Sequence, residues 1–335
     1  MGEFIEFESD EDADRSKLVY TFGGVEPVLS IRPGTVIRAT TLDAFGGVLN
    51  SIDKLPSQVC DSRYLNPQTG PFFLEGAELG DTLAVHFIQI EPRYKWGVSA
   101  SIPFFGGLTS TPETAMLQEA LPEMTWIYEL DKVNRLVRYE ARESKFGLDL
   151  PMDPMHGTVG VAPPLREVRS SLAPGCWGGN MDTPEMRVGA TCYLGVNVEG
   201  ALLSFGDGHA RQSEGETCGV AVECAMDSVI VVDLIKHMQT PWPRLETDEY
   251  LMTTGSSKPM EDAFRVAHVE MVRWMSELLE ISTMDAYQLV TQTVLTPVAN
   301  ACDKAYTVVC KMPKAFLKNV VAMKGMHEKL KKTTW

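Results

Sequence analysis

Residues 191–216 read TCYLGVNVEGALLSFGDGHARQSEGE. Two runs rich in β-formers flank Glu199-Gly200, and turn residues follow them. The pattern predicts two strands joined as a hairpin at Glu199-Gly200, because glycine supplies the positive φ that tight hairpin turns require. The second run ends in Asp207, His209, Glu214 and Glu216, interleaved with Gly206, Gly208 and Gly215. Side chains two apart on a strand point to one side, so Asp207 and His209 are expected to project together from a strand end. Zn²⁺ takes imidazole nitrogen and carboxylate oxygen, and a catalytic site needs about three such ligands plus an open position. Gly206 and Gly208 would leave room for a substrate beside the pair. The competing reading is a polar turn that Asp207 stabilises, with His209 a satisfied polar residue.

Outward from this stretch, the first 240 residues continue as strands and turns. GVAVECAMDSVIVVDLIK (219–236) repeats the strand pattern around Met226-Asp227, and GDTLAVHFIQIEP (80–92) is an apolar run opened by Gly-Asp. Glycine pairs follow an aromatic residue at 22–24, 45–47, 105–107 and 177–179, and turn chemistry accounts for each. Helical periodicity appears late. Residues 257–282 place Met260, Phe264, Ala267, Met271, Trp274, Met275 and Leu278 on one core-facing stripe, with Ser257 as cap and Pro259 in the first turn. A second helix follows from Ser282, whose spacing to Asp285 is that of a capping box. Residues 304–313 return to strand. The order predicts a mainly β chain with an α+β C-terminal part.

Composition narrows the function. The chain has 335 residues, 44% apolar and 22% charged, as a globular protein does. A formal charge of −15 argues against nucleic acid as partner, since phosphate binding needs a basic face. The charge is uneven: residues 1–20 form an acidic extension, and residues 321–335 a basic tail, both read as solvated ends. No apolar run reaches the ~18 residues of a membrane span, and the acidic start is unlike a signal peptide, so a cytoplasmic protein is expected. Seven cysteines without C-x-x-C read as reduced thiols.

Two further segments offer chemistry. CWGGNMDTPEMRVGAT (176–191) carries Asn180 and Asp182 after a glycine pair, and TLDAFGG (41–47) carries Asp43 before one. Turn formation explains each alone. His86 reads as a strand histidine, and His156 stays open. There is no G-x-S-x-G elbow and no P-loop.

Taken together, HGTVGVAPP (156–164), residues 178–216 and residues 219–236 resemble the acetamidase/formamidase family, and PVLSIRPGTVIRATTLDAFGG (27–47) and NPQTGPFFLEGAELGDTLAVHFIQI (66–90) agree. The resemblance implies hydrolysis of small amides to carboxylate and ammonia, a jelly-roll-like β-sandwich with smaller β-rich and α+β lobes, and a homo-oligomer. The catalytic unit would span 21–320, with its late helices at 257–295. A divalent metal, Zn²⁺ first, is expected on Asp207 and His209, with Asp182 and Asp43 as further ligands. Glu216 is expected as general base and then acid, with Glu214 and Glu223 next. Asn180 is expected as the oxyanion donor, and Gly179, Gly208 and Glu223 as substrate contacts. SEGE stands where the family has GDGE, and PMHG where it has PMIG, so Ser213, Glu214 and His156 are expected to alter the pocket. The rival readings are a metal-free amidase using Cys192, Cys218 or Cys224, and a small-ligand-binding protein on the same scaffold.

Overall fold

The computed structural model describes residues 3–9, 14–109 and 119–335. Among them β-structure dominates, and its centre is a nine-stranded mixed sheet. The run Met226–Ile235 shows how such a sheet arises. Ile230 and Val232 face one layer, and Val229, Val231 and Ile235 face the other. Alternation along a strand therefore reads as a continuous apolar run when both faces are covered. Strands Thr35–Thr41 and Thr82–Pro92 flank it and split in the same way: Ile37, Val85 and Phe87 on one side, Val36 and Ala84 on the other.

The first face packs on a five-stranded sheet, through Phe72, Val159, Leu203 and Phe205. In that sheet Leu203–His209 is the central strand, and Met155–Gly160 lies between it and the edge strand Gly178–Asn180. The second face is covered by the helices Met260–Leu279 and Thr283–Thr293. A four-stranded sheet, from Trp96–Ser101 to Gly147–Pro151, sits to one side. The mainly β reading with C-terminal helices holds. The strand order does not by itself single out a jelly roll.

Several local expectations are corrected. Glu199-Gly200 is not a hairpin. Thr191–Gly195 pairs within the large sheet, and Leu203–His209 within the smaller one, so the segment between them carries the chain from one layer to the other. Both strands are buried throughout, and nothing in their local pattern says that they belong to different sheets. Ser257 does not cap the first long helix, because it ends the strand Tyr250–Ser257; Pro259 takes the cap position without a side-chain bond. Ala267, Met271, Trp274 and Met275 are buried as expected, but Phe264 is 46% exposed and stacks on His268. Ser282 does cap the second helix, accepting from the Asp285 N–H at 3.1 Å.

The described parts of both ends dock onto the large sheet, while their charged side chains stay largely exposed. Phe4–Phe7 pairs in parallel with Thr35–Thr41 at the sheet edge. Met323, Met326, His327 and Leu330 of the C-terminal segment are buried, and His327 Nδ1 lies 2.8 Å from Thr191 Oγ1. The acidic residues 10–12 lie outside the described residues. No helix among the described residues is long and apolar enough to cross a membrane.

Candidate active site

At the end of the five-stranded sheet, Leu203–His209 delivers Asp207 and His209 into one buried cluster. Their Oδ1 and Nε2 atoms lie 3.4 Å apart. Gly178–Asn180 and the turn after it bring Asn180 and Asp182, and the segment after His209 returns with Glu216 and Glu223. Asp303 arrives from the loop before the strand Tyr306–Pro313. Five carboxylates and one imidazole are thus buried together. Ligand-capable atoms of Asp182, His209 and Glu216 fall within 4.8 Å of one another, as do those of Asp207, His209 and Glu223, and of Glu216, Cys302 and Asp303. Asp182, Asp207 and Glu216 all hold positive φ (44°, 58° and 43°), a strained backbone of the kind found at functional sites.

Few donors face these acids. Asn180 Nδ2 donates to Asp182 Oδ2 at 2.9 Å and to Asp303 Oδ2 at 2.8 Å. The Asn66 amide nitrogen lies 3.2 Å from Asp207 Oδ2, and Thr158 Oγ1 lies 3.0 Å from the same oxygen. The Ala221 N–H donates to Glu223 Oε1. Among the described residues, Asp182 Oδ1 has no hydrogen-bond partner, and Glu223 Oε2 sits 3.2 Å from His209 Nε2 with no hydrogen bond aligned onto it. Burial, and then the repulsion of neighbouring acids, pushes Glu223 up to about 7 and Asp303 up to about 6. Asp182 and Glu216 are raised well above the carboxylate range by the same causes. Burial also pushes Asp207 upward, but His209 beside it and Thr158 hold it below its ordinary value. Burial opposes charge on His209, yet Glu223 and Asp207 hold its imidazolium well above the ordinary range.

The cluster fits a bound cation. A buried carboxylate oxygen with no donor is costly unless something positive meets it. Gly157 adds a second sign: a Cβ there would lie 2.3 Å from Asp182 Oδ1, 2.7 Å from Asp207 Oδ2 and 2.8 Å from the His209 ring. Only glycine leaves that space open. Gln212 supplies a third. Its Nε2 donates to the Asp182 carbonyl at 2.6 Å, which turns its Oε1 toward His209 Nδ1 at 2.9 Å. His209 therefore keeps its Nδ1 proton, and Nε2 is the nitrogen offered to the acids. Oxygen donors with one imidazole suit a divalent cation such as Zn²⁺.

The acids form the floor of a cavity of about 240 Å³. Its walls are apolar: Phe45, Leu65, Ile102, Phe105, Leu172 and Val220. Lys304 stands exposed at its edge.

Other predicted site residues fall elsewhere. Asp43 is outside the cluster: its carboxylate accepts the Phe45 and Gly47 N–H groups and holds the turn that presents Phe45 to the cavity. Gly208 does not make room for substrate, because a Cβ there would meet Met226 at 2.2 Å; Gly206 likewise backs onto Pro67 and Gln68. Gly179 lies against the Ala173 carbonyl with φ of 84°. Both N–H groups of Asn180 are committed to carboxylates, so it orients acids rather than offering a donor to the cavity. Glu214 and Ser213 are exposed and line an outer hollow instead. His156 is fully buried between the Gly206 carbonyl and Ser228 Oγ, packed edge-on against Phe205, and does not line the cavity. Cys192 and Cys224 are buried in the core, and exposed Cys218 is not among the cavity-lining residues. Asn66, Gly157, Cys302 and Asp303 were not predicted, and they have no local motif beyond an Asn-Pro, an His-Gly and a Cys-Asp pair.

Known proteins agree with this architecture. The model of the acetamidase/formamidase family matches residues 21–173 and 165–296. The acetamidase of Yersinia enterocolitica has 38% sequence identity and a TM-score of 0.88, over 95% of this chain and 94% of that one. The acetamidase of Bacillus halodurans has 27% identity and a TM-score of 0.83, over 94% and 99%. A formamidase-like protein of Schizosaccharomyces pombe is 24% identical over 258 residues, which span 62% of this chain and 61% of that protein's length. The family's matched segments contain most of the buried acid cluster and the strands that deliver it, and so the chain belongs to the acetamidase/formamidase family of amidohydrolases.

Proposed function

We propose that the chain hydrolyses small aliphatic amides, of the formamide and acetamide type, to a carboxylate and ammonia. It does so at a centre where Asp207 and His209 hold a divalent cation, with Glu223 and Asp182 each within ligand distance of the imidazole. The observation that carries this reading is the unpartnered Asp182 Oδ1, aimed into a buried set of five carboxylates around one imidazole. Bound there, a cation of the Zn²⁺ type supplies what a planar amide needs, an acidified water (pKa ~7) and a polarised carbonyl.

The remaining work falls to the chain. Glu216 lines the cavity, and burial together with the neighbouring Asp303 raises its carboxyl well above the ordinary carboxylate range. It is suited to take a proton from the attacking water and return it to the departing nitrogen. Cys302 Sγ, 3.5 Å from Glu216 Oε2, and neighbouring Asp303 tune that carboxyl. Asn180 fixes two of the acids, and Gln212 fixes the imidazole. The apolar wall keeps bulk water from the reacting carbonyl.

The test is ammonia release over a panel of short amides, on protein whose metal content has been measured before and after chelation. Turnover that tracks bound metal supports the reading. Full turnover after complete chelation rules out the cation, and silence of the metal-loaded protein toward every amide rules out the hydrolase. A homo-oligomer is proposed as well, because the large sheet ends in the edge strands Phe4–Phe7 and Val298–Asn300, which need cover. Light scattering at micromolar concentration checks it.

A further inference from the structure

The cavity is larger than the smallest amides require. Resting on the amide-hydrolase reading above, we infer that this site selects primary amides with an apolar, unbranched acyl chain of about four to six carbons, over formamide and acetamide. A cavity of about 150 Å³ holds a six-carbon ring such as benzene, on the order of 25 Å³ per heavy atom, so one of about 240 Å³ has room for about nine heavy atoms. A cation and its water take one or two, and the carboxamide itself three. Room remains for several carbons, and formamide or acetamide would leave it filled with water.

The lining says what fills that room. Polar atoms gather at the floor, on Asp182, Asp207, His209, Glu216, Glu223 and Asp303. Among the described residues the lining also has seven apolar side chains, Ala44 and the six larger ones named above. This wall is preformed. Phe45 and Val220 belong to a small core with Leu49, Val98 and Ala100, and Leu65, Ile102 and Phe105 pack against it. A rigid apolar surface gains by covering with hydrocarbon, at about fourfold per buried methylene.

The polarity also orients the substrate. The departing nitrogen must sit by Glu216, which is grouped with Asp182, His209, Cys302 and Asp303, so a substituent on nitrogen would press into a crowded polar cluster. The hydrocarbon therefore belongs on the acyl side.

The experiment is kcat/KM for formamide, acetamide, propanamide, butanamide, hexanamide and decanamide with the metal-loaded protein, together with N-butylacetamide, an isomer of hexanamide. The expected result is a rise of about fourfold per methylene, a maximum between butanamide and hexanamide, a fall by decanamide, and poor use of N-butylacetamide. Leu172→Trp, which narrows the wall from a position outside the small core, should lower the hexanamide-to-acetamide ratio at least tenfold; Val220→Ala should move the maximum to a longer chain. A profile that is flat or falls from acetamide onward overturns the inference while leaving the hydrolase reading intact, and so does preference for N-butylacetamide. If no amide turns over, the hydrolase reading fails, and calorimetric binding of the same series decides the inference. Affinity that tightens with chain length up to hexanamide supports it, and affinity independent of length overturns it.

Discussion

The helix-covered face of the large sheet and the end of the five-stranded sheet hold different kinds of buried polar chemistry. On the helix-covered side, the buried charges Arg244, Glu270 and Glu246 each have an opposite charge beside them. Arg244 clasps Glu270 through two nitrogens at 2.6 and 3.0 Å and lies over the Trp274 ring. Glu246 accepts from Tyr193 at 2.8 Å and from Lys314 at 2.7 Å. His86, Thr191, His327 and Asp248 form a hydrogen-bonded chain that pins the C-terminal segment. In the acid cluster, five carboxylates share one imidazole and few donors, and two oxygens have none. A closed network holds elements together and needs nothing more. An open one holds strain that a cation can relieve, and it sits where a cavity gives access.

Breaking the open network should abolish function while sparing the fold. His209→Ala is expected to lose bound metal and all measurable turnover; retained metal and turnover would return Asp207 and His209 to the status of a polar turn. Glu216→Gln preserves shape and should keep its metal while losing about 10²–10⁴-fold in kcat. Metal analysis beside kinetics separates these two variants. Normal turnover in Glu216→Gln would move the base to Glu223.

Breaking the closed network should do the reverse. Glu270→Ala leaves Arg244 buried without its partner, which should cost about 3–5 kcal/mol of stability. Denaturant unfolding measures the loss, and kcat below the transition should match the parent protein.

Acid should distinguish the two regions as well. Burial holds His86 and His156 down to about 4, from an ordinary 6.5. Between pH 6.5 and 4 the unfolded chain takes up protons that the fold refuses, so stability falls as the pH drops through that window, by up to roughly 3 kcal/mol per histidine. The raised carboxylates of the metal-free acid cluster act in the opposite sense. Glu223 and Asp303 contribute stability below their ordinary pKa values and lose it as pH rises through about 6 to 7. Metal loading keeps those acids ionised and removes that compensation. Metal-loaded protein should therefore lose stability more steeply on acidification than chelated protein, as unfolding midpoints from pH 7 to 4 will show. The smallest effect is expected for Gln212→Leu, which frees the imidazole to turn and should weaken metal affinity about 10–100-fold without changing unfolding.

Local chemistry made part of this site readable. Asp207 and His209 alternate on a strand that ends beside glycines, and two-residue periodicity suffices to bring them together. Glu216 and Glu223 follow closely enough to return to the same place. Asp182 was visible only as an acid after a turn. Asp43 looked equivalent, yet its oxygens are consumed by its own turn, a distinction that depends on backbone direction rather than residue type. Gly157 reads as an ordinary strand glycine until the three side chains that crowd its missing Cβ are in place.

Residue order alone determined the β-rich class, the late amphipathic helices, the Ser282 cap and the Asp207–His209 pair, because each depends on periodicity or on neighbours a few positions away. Tertiary structure alone decided that Thr191–Gly195 and Leu203–His209 belong to different layers, that the charged termini are docked, and that Asn66, Asp303 and Cys302 join the acids. The reason is physical: an apolar run says that a strand is buried, not against what. A carboxylate's role is set by the charges around it, and here those come from segments more than one hundred residues apart, such as Asn180 and Asp303.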